Sequence, residues 1–294
     1  MATRIPFDES FWQEYLAGQE AQLPALADVE DISDRVVRVF ADNPGAMQLQ
    51  GTNTYLVGTG TSRILIDTGE LLEERALDIA FVLLTHWHGD HTGGVFDLVR
   101  HDPKLKSRVY KNQPDRDQNP ITNGQRFQVE GASVRTVLTP GHSIDHMCFL
   151  LEEENALFTG DNVLSHAFSV VQDLAEYMKN LARMEELACV IGYPAHGAKV
   201  DDLPMKMQEY IKHNELRVQQ VISTLSWKRA MTLPEIVRSI YGDVPAEVVD
   251  NAIVPFLSQV LWKLAEDRKV GFQSGHSNQR RWFGLCSDGM VSYR

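Results

Sequence analysis

Residues 81–91 read Phe81-Val82-Leu83-Leu84-Thr85-His86-Trp87-His88-Gly89-Asp90-His91. The first five are apolar or β-branched, the composition of a strand buried on both faces. Three imidazoles and a carboxylate then fall within the six residues from His86 to His91. Groups of that polarity cannot all enter a core, whereas a tight loop after a strand can aim them at one point. Imidazole is a borderline ligand suited to Zn²⁺, and a carboxylate adds a hard oxygen. The stretch therefore reads as a buried strand that delivers a metal-binding loop. The competing reading, a solvated His-rich turn, leaves the density of ligand types unexplained.

Three later segments repeat the pattern of a strand ending in a possible ligand. Thr139-Pro140-Gly141-His142 follows a strand over Ser133–Leu138. Gly160-Asp161 follows Ala156–Thr159, and Pro194-Ala195-His196-Gly197 follows Val190–Tyr193. Each ligand sits beside Gly or Pro, where the backbone can turn a side chain toward a site. Any one alone is weak, since a lone His after a strand is usually structural. Together, in this order, they are a strong signal.

Around these anchors the coarse organisation follows. Residues 7–28 read as an irregular or helical lead-in, with Phe11, Trp12, Tyr15 and Leu16 at helical spacing and Pro24 ending it. Val36–Phe40, Thr54–Val57, Arg63–Asp67 and Val109–Lys111 read as strands, and Cys148–Glu152 with Ala156–Thr159 as a hairpin around Glu153-Glu154-Asn155. Glu70–Ala80 leaves room for a short helix before Phe81. Leu174–Glu186 reads as an amphipathic helix. From Leu203 the pattern turns helical. Pro204–Trp227 offers Met207, Tyr210, Ile211, Leu216, Val218 and Val221 to a core. Thr232 with Glu235 forms a capping box, and Pro245–Arg268 is helical with a break near Pro255. Val270–Phe272 adds a strand, giving a small winged-helix-like domain. The expected division is 1–30 lead-in, 31–202 main domain, 203–273 helical domain and 274–294 tail.

Composition narrows the class. Of the 294 residues 43% are hydrophobic and 23% charged, ordinary for a globular chain. No apolar run approaches the ~20 residues of a membrane span, and the N-terminus has no signal-peptide core. A soluble, cytoplasmic protein without a membrane partner is the expectation. Cys148, Cys189 and Cys286 are too few and too widely spaced for a disulfide framework or a CxxC site, and read as small buried residues. The net charge of −12 argues against binding a phosphate backbone, so no nucleic-acid partner is expected.

The order His86-x-His88-x-Asp90-His91, then His142, Asp161 and His196, resembles the metallo-β-lactamase superfamily. Ile66-Asp67-Thr68-Gly69 resembles that superfamily's early Asp at a strand end. The resemblance implies an α/β fold, an αββα sandwich of two sheets with helices outside. It implies two divalent metal ions, zinc or alternatively manganese. His86, His88 and His142 would hold one, Asp90, His91 and His196 the other, and Asp161 would bridge them. Asp67 would brace the ligand loop without touching metal.

A closer resemblance spans nearly the whole chain. Asn43-Pro44-Gly45 with Leu49-Gln50-Gly51-Thr52-Asn53-Thr54-Tyr55 is similar to the opening segment of two groups. One is the fungal metallo-β-lactamase-type thioesterases of non-reducing polyketide synthase pathways, the other the β-lactamase-like single-strand endoribonucleases. Both carry a C-terminal helical domain. The lead-in Phe11-Trp12-Gln13-Glu14-Tyr15-Leu16-Ala17-Gly18-Gln19, with Leu23-Pro24-Ala25-Leu26-Ala27-Asp28-Val29-Glu30, resembles the thioesterases alone. Both groups usually have a longer segment where Glu70–Ala80 stands here, through natural deletion or gene-model error.

The resemblance implies a thioesterase that releases a polyketide from an acyl-carrier protein by hydrolysis or Claisen-type closure. Two adjacent ions would lower the pKa of a shared water, and Asp90 would orient it and accept its proton. His166, Tyr210 and Trp227 are candidate substrate contacts. His146 either braces the His142 loop or meets substrate. Lys228-Arg229 and Arg280-Arg281 read as solvated pairs. A single-strand endoribonuclease and a hydroxyacylglutathione hydrolase-like thioesterase are the alternatives.

Overall fold

Alternating burial along the early strands builds the first layer. Tyr55, Val57, Ile64 and Ile66 point to one face and Leu56 and Leu65 to the other, the period-2 signature of pleated strands buried on both sides. The computed structural model describes residues 23–41, 43–45, 48–69, 78–166, 168–226, 229–243, 246, 249, 253–274 and 280–285. The described chain divides into Leu23–Tyr210 and the part from Ile211 onward.

In the first unit, β1 (Val29–Asp31), β2 (Val36–Ala41), β3 (Thr52–Val57), β4 (Ser62–Ile66), β5 (Asp78–Leu84), β6 (Val109–Lys111) and β7 (Asn119–Pro120) form one sheet in sequence order. The pairs up to β3–β4 are antiparallel and those from β4–β5 on are parallel. The second sheet takes β8 (Arg126–Val129), β9 (Ala132–Leu138), β10 (Met147–Leu151), β11 (Ala156–Gly160) and β12 (Ile191–Pro194), in the order β12-β11-β10-β9-β8. Between the sheets lies a core of Tyr55, Ile64, Ile66 and Leu83 from the first and Val134, Phe149, Leu151 and Phe158 from the second. On the outer face of the first sheet, Leu56, Leu65, Val82 and Leu84 pack with Val95, Leu98 and Val99 of α2 (Val95–His101). The helix α3 (Leu174–Glu186) buries Leu174, Tyr177, Leu181 and Met184, and Asp173 caps its start by accepting from the Glu176 amide. The expected αββα sandwich is present.

The sheets are tied together by backbone hydrogen bonds at the end where the ligand segments lie. Asn53 N–H donates to Ala195 O at 2.7 Å and Met147 N–H to Thr85 O at 2.8 Å.

Several expectations shift. The strand expected from Phe81 begins at Asp78, because Ile79 is buried and Ser62 and Arg63 pair with Asp78 and Ile79. Residues 78–80 are thus strand rather than helix, and the helix expected earlier in Glu70–Ala80 lies outside the described residues, as does the lead-in as far as 22. The hairpin at Glu153-Glu154-Asn155 is present, with Asn155 at φ 47° taking the left-handed turn position. Strands β1 and β8 and helix α2 were not foreseen.

From Ile211 the C-terminal unit uses the end of α4 (Leu203–Thr224), α5 (Leu233–Tyr241) and α6 (Val254–Glu266) with a sheet in the order β13 (Met231–Thr232), β15 (Arg281–Gly284), β14 (Val270–Gln273). Helices with a three-stranded sheet match the winged-helix-like expectation. The Thr232–Glu235 capping box is formed. Pro255 opens α6 rather than breaking it, since its missing N–H costs nothing in the first turn. Leu216 is 57% exposed, not core. The buried stripe of α4 runs through Met207, Tyr210, Asn214, Val218 and Val221 at three- and four-residue spacing, and Leu216 falls off it. Arg280 is not a solvated cation: its guanidinium lies 4.8 Å from the Trp262 ring centroid and 5.0 Å from that of Phe272. Arg281 is tied as well, donating to Ala230 O at 2.8 Å. Among the described residues no helix is long and apolar enough to cross a membrane.

Candidate metal centre

The parallel pairing of β4, β5 and β6 sends their C-terminal ends to one side of the sandwich. Asp67 follows β4, and Thr85 to His91 follow β5. His142 follows β9, Asp161 follows β11 and His196 follows β12. All seven expected ligands come together there in two groups. His86, His88, His142 and Asp161 form one, and Asp90, His91 and His196 the other, with ligand atoms in each group within 4.8 Å of one another. The loop after β5 tightens into one helical turn, α1 (Gly89–Thr92), which places Asp90 and His91.

The imidazoles are oriented by what their outer nitrogens touch. His142 Nδ1 donates to Val170 O at 2.7 Å, His196 Nδ1 to Gly51 O at 3.0 Å, and His91 Nδ1 to Asp67 Oδ2 at 2.8 Å. Thr85 gives its hydroxyl proton to Asp67, so its oxygen, 2.9 Å from His86 Nδ1, accepts from that ring. In each case Nε2 is the nitrogen that faces inward, the position from which a neutral ring would bind a cation. Asp67 sits at φ 55° at the head of this arrangement and also accepts from the Thr85 amide at 2.8 Å.

Inside the first group the ring nitrogens crowd together. His86 Nε2 and His88 Nδ1 are 2.8 Å apart, and His142 Nε2 is 3.2 and 3.1 Å from them. Asp161 turns one oxygen to each group. Its Oδ2 is 3.5 Å from His142 Nε2, and its Oδ1 is 3.5 Å from His91 Nε2 and 3.3 Å from His196 Nε2. Asp90 Oδ2 lies 3.3 Å from His91 Nε2 and 3.4 Å from His196 Nε2. Yet His91 Nε2 and Asp161 Oδ1 are buried without a hydrogen bond. These atoms aim at shared points rather than at one another, which is costly unless something positive stands there. The donor set therefore fits a dinuclear metal site.

The electrostatics agree. Burial, with neighbouring His91 and His142, pushes the His86 pKa well below the ordinary imidazole value. Burial also lowers His88 and His142, in both against the pull of Asp161. In the second group burial opposes charge, but Asp161 and Asp67 raise His91 well above its usual value, and Asp161 and Asp90 raise His196 to about 9. Burial works against ionised Asp90 and Asp161 too, yet His196 and His91 hold both carboxyls far below the usual range. One group offers neutral nitrogens, and the other an anionic cradle that demands a cation.

The opening segment of the chain has a physical role in this site. Gly51, at φ 149°, supplies the carbonyl that orients His196, and a Cβ there would lie 2.2 Å from Ala41 O. Thr52 Oγ1 reaches Asp90 Oδ2 at 3.3 Å, and Asn53 Nδ2 donates to Pro194 O and Gly197 O. Of the candidate substrate contacts, His166 is half-buried, and a Cβ built on Gly197 would lie 3.6 Å from its Cδ2. Tyr210 is buried, its hydroxyl accepting from the Leu164 amide at 3.0 Å, and the Phe168 ring lies over it at 4.9 Å. Trp227 lies outside the described residues. Sequence reasoning missed Trp87 and Ile144, which flank the ligands and are 51% and 67% exposed.

Residues 48–200 match the family described as Metallo-beta-lactamase superfamily. The chain is 66% identical to Lactamase-like protein vrtG of Penicillium aethiopicum, over 98% of this chain and 99% of that protein. It is 59% identical to Lactamase-like protein adaB of Aspergillus niger, over 97% of each. The first alignment spans 305 positions, more than the 294 residues here, so the relative carries residues with no counterpart in this chain. Among solved structures, a beta-lactamase domain protein from Burkholderia ambifaria superposes with a TM-score of 0.76 at 18% identity, covering 90% of this chain and 98% of that one. A metallo-beta-lactamase family protein from Thermus thermophilus gives 0.65 at 20% identity, covering 87% and 100%.

Proposed function

Because the chain belongs to the metallo-beta-lactamase superfamily and carries the His/Asp site of a metal-dependent hydrolase, we propose that it is a thioesterase. Its substrate is a polyketide held as a thioester on the acyl-carrier protein of a non-reducing polyketide synthase. It releases the chain as a free acid or by Claisen-type closure. Two zinc ions would be held by His86, His88 and His142 and by Asp90, His91 and His196, with Asp161 shared. When bound they supply Lewis acidity, acidifying water and polarising a carbonyl oxygen.

The observation that carries this reading is the apolar surface beside the first ligand group. The Trp87 and His88 rings meet edge to face with centroids 4.5 Å apart, and Ile144 stands two residues beyond His142. Phe168 and Val170 flank Ser169 on the segment whose carbonyl holds His142. All four side chains are more than two-fifths exposed. Such a surface suits an apolar, flat acyl group, and none of the four side chains supplies the positive charge that a phosphodiester backbone calls for. The net charge of −12 points the same way.

The protein's own groups have definite tasks. Asp90 is held ionised by His196 and His91, and Thr52 Oγ1 fixes one of its oxygens. The carboxylate accepts a hydrogen bond from the attacking water and aligns it on the carbonyl carbon. Water adds, the C–S bond breaks, and the electron pair leaves on sulfur. A thiol of pKa about 8.5 departs as thiolate without a strong acid. The proton lost by water ends on that thiolate.

Purified, metal-loaded protein is offered a carrier-bound aromatic polyketide, single-stranded RNA and S-lactoylglutathione in parallel. Release of the polyketide with free carrier thiol is the expected result. Cleavage of RNA alone, or of S-lactoylglutathione alone, overturns the assignment.

A further inference from the structure

His146 lies among the site residues but belongs to neither ligand group. It is fully buried, with its ring centroid 5.2 Å from that of His86 and 5.8 Å from that of His142. Its Nε2 is 3.2 Å from the Asp161 backbone nitrogen. An amide N–H can only donate, so Nε2 must be a bare lone pair, and the ring proton of the neutral imidazole sits on Nδ1. From there it reaches Thr139 Oγ1 at 3.1 Å, while Asn162 Nδ2, also 3.1 Å from Nδ1, spends its hydrogen bond on Thr139 O at 2.8 Å and makes none to the ring. That hydroxyl turns its own proton to Cys148 Sγ at 3.2 Å, and the thiol faces Thr159 O at 3.5 Å.

The donors therefore run one way, from the amide of Asp161 to the carbonyl of Thr159, and enclose Gly160. That residue sits at φ 51°, and a Cβ on it would stand 2.5 Å from His146 Nε2. The turn is thus built around the imidazole. Its product is the placement of Asp161, whose two carboxylate oxygens face different ligand groups. The turn that carries His142 carries His146 four residues on, and Asp145 between them is pinned by Lys111 Nζ at 2.8 Å.

We propose that His146, as the Nδ1–H tautomer, is a positioning residue that couples the two cation positions by fixing the amide of Asp161. The inference rests on the two-cation reading of the site and is independent of the substrate. Without the Nε2 acceptor, Asp161 no longer spans both groups. The cation held by three imidazoles persists while the second is weakened.

The test uses Co²⁺ alone, titrated into metal-free wild type, His146→Phe and His146→Gln, with bound metal read by absorbance and elemental analysis. Wild type should take up two ions. In H146F the second should bind about 10- to 100-fold more weakly, the usual effect of losing a group that orients a ligand. H146Q, whose amide oxygen can replace Nε2 as acceptor, should recover much of that loss. Two ions bound by folded H146F with wild-type affinity would refute the coupling, and so would equal weakening of both. Should H146F fail to fold, H146Q and the imidazole ¹⁵N spectrum of wild type decide. A His146 ring protonated at Nε2, identified by its absence from H146Q, defeats the proposal. No metal-binding result bears on which ester is cleaved, so failure here and failure of the thioesterase reading are distinguishable.

Discussion

At the scale of single residues, the site is a set of inward-facing nitrogens and carboxylate oxygens whose directions are fixed from behind. His88 is the half-exposed member of its group, so its loss removes a ligand with little packing. His88→Ala should lower turnover by orders of magnitude and reduce bound metal from two ions to one. The stability of the metal-free chain should stay within about 1 kcal/mol of wild type. Near wild-type activity in H88A would overturn the metal mechanism. Proton linkage gives a second expectation. His86, His88, His142 and His146 are depressed, so below about pH 6.5 the unfolded chain binds protons that the folded chain refuses, and stability falls with falling pH. His91 and His196 are raised, so their contribution is complete below about pH 6.5 and fades as pH climbs through the His196 value of about 9. The melting temperature of metal-free protein should therefore peak near pH ~6.5. Metal uptake at pH ~7.5 should release protons, seen as a dependence of calorimetric heat on the ionisation enthalpy of the buffer.

At the scale of elements, the ligands were legible because four of them crowd the loop after one buried strand and the other three each follow a strand beside Gly or Pro. Of the supports behind them, Asp67 was read as a brace and His146 as either a brace or a substrate contact, but Gly51 and Val170 were given no such role. Both act through backbone carbonyls, and such partners leave no mark on side-chain pattern. The start of β5 was misplaced because Asp78 and Ala80 interrupt the apolar run, while pairing with β4 carries the strand through them. Leu216 was misplaced because apolar character was counted without regard to the angular stripe on α4. One support makes a direct prediction. Lys111, at the end of β6, donates to Asp145 Oδ2 and Gln113 O at 2.8 Å each, in full burial. Lys111→Met strands the Asp145 carboxylate and should cost about 3–5 kcal/mol in urea unfolding. Adding Asp145→Asn should recover part of the loss. An additive second loss would show that the two do not act as a pair.

At the scale of the whole molecule, the αββα arrangement was implied by the family resemblance that the ligand order carries, and the C-terminal helices with a small sheet followed from the change of period after Leu203. The backbone bonds Asn53–Ala195 and Met147–Thr85 deserve a final consequence. They are backbone bonds that close the sandwich at the ligand end and need no ion, so the metal-free chain should keep this end closed, unlike small zinc modules that are random coil until loaded. Stripping with a chelator should leave near-ultraviolet circular dichroism intact and abolish turnover. Returning Zn²⁺ or Co²⁺ should restore it on mixing, with no renaturation lag. Such a protein can trade its cations as cellular supply changes, and the identity of the resident metal becomes a matter of availability as much as of design.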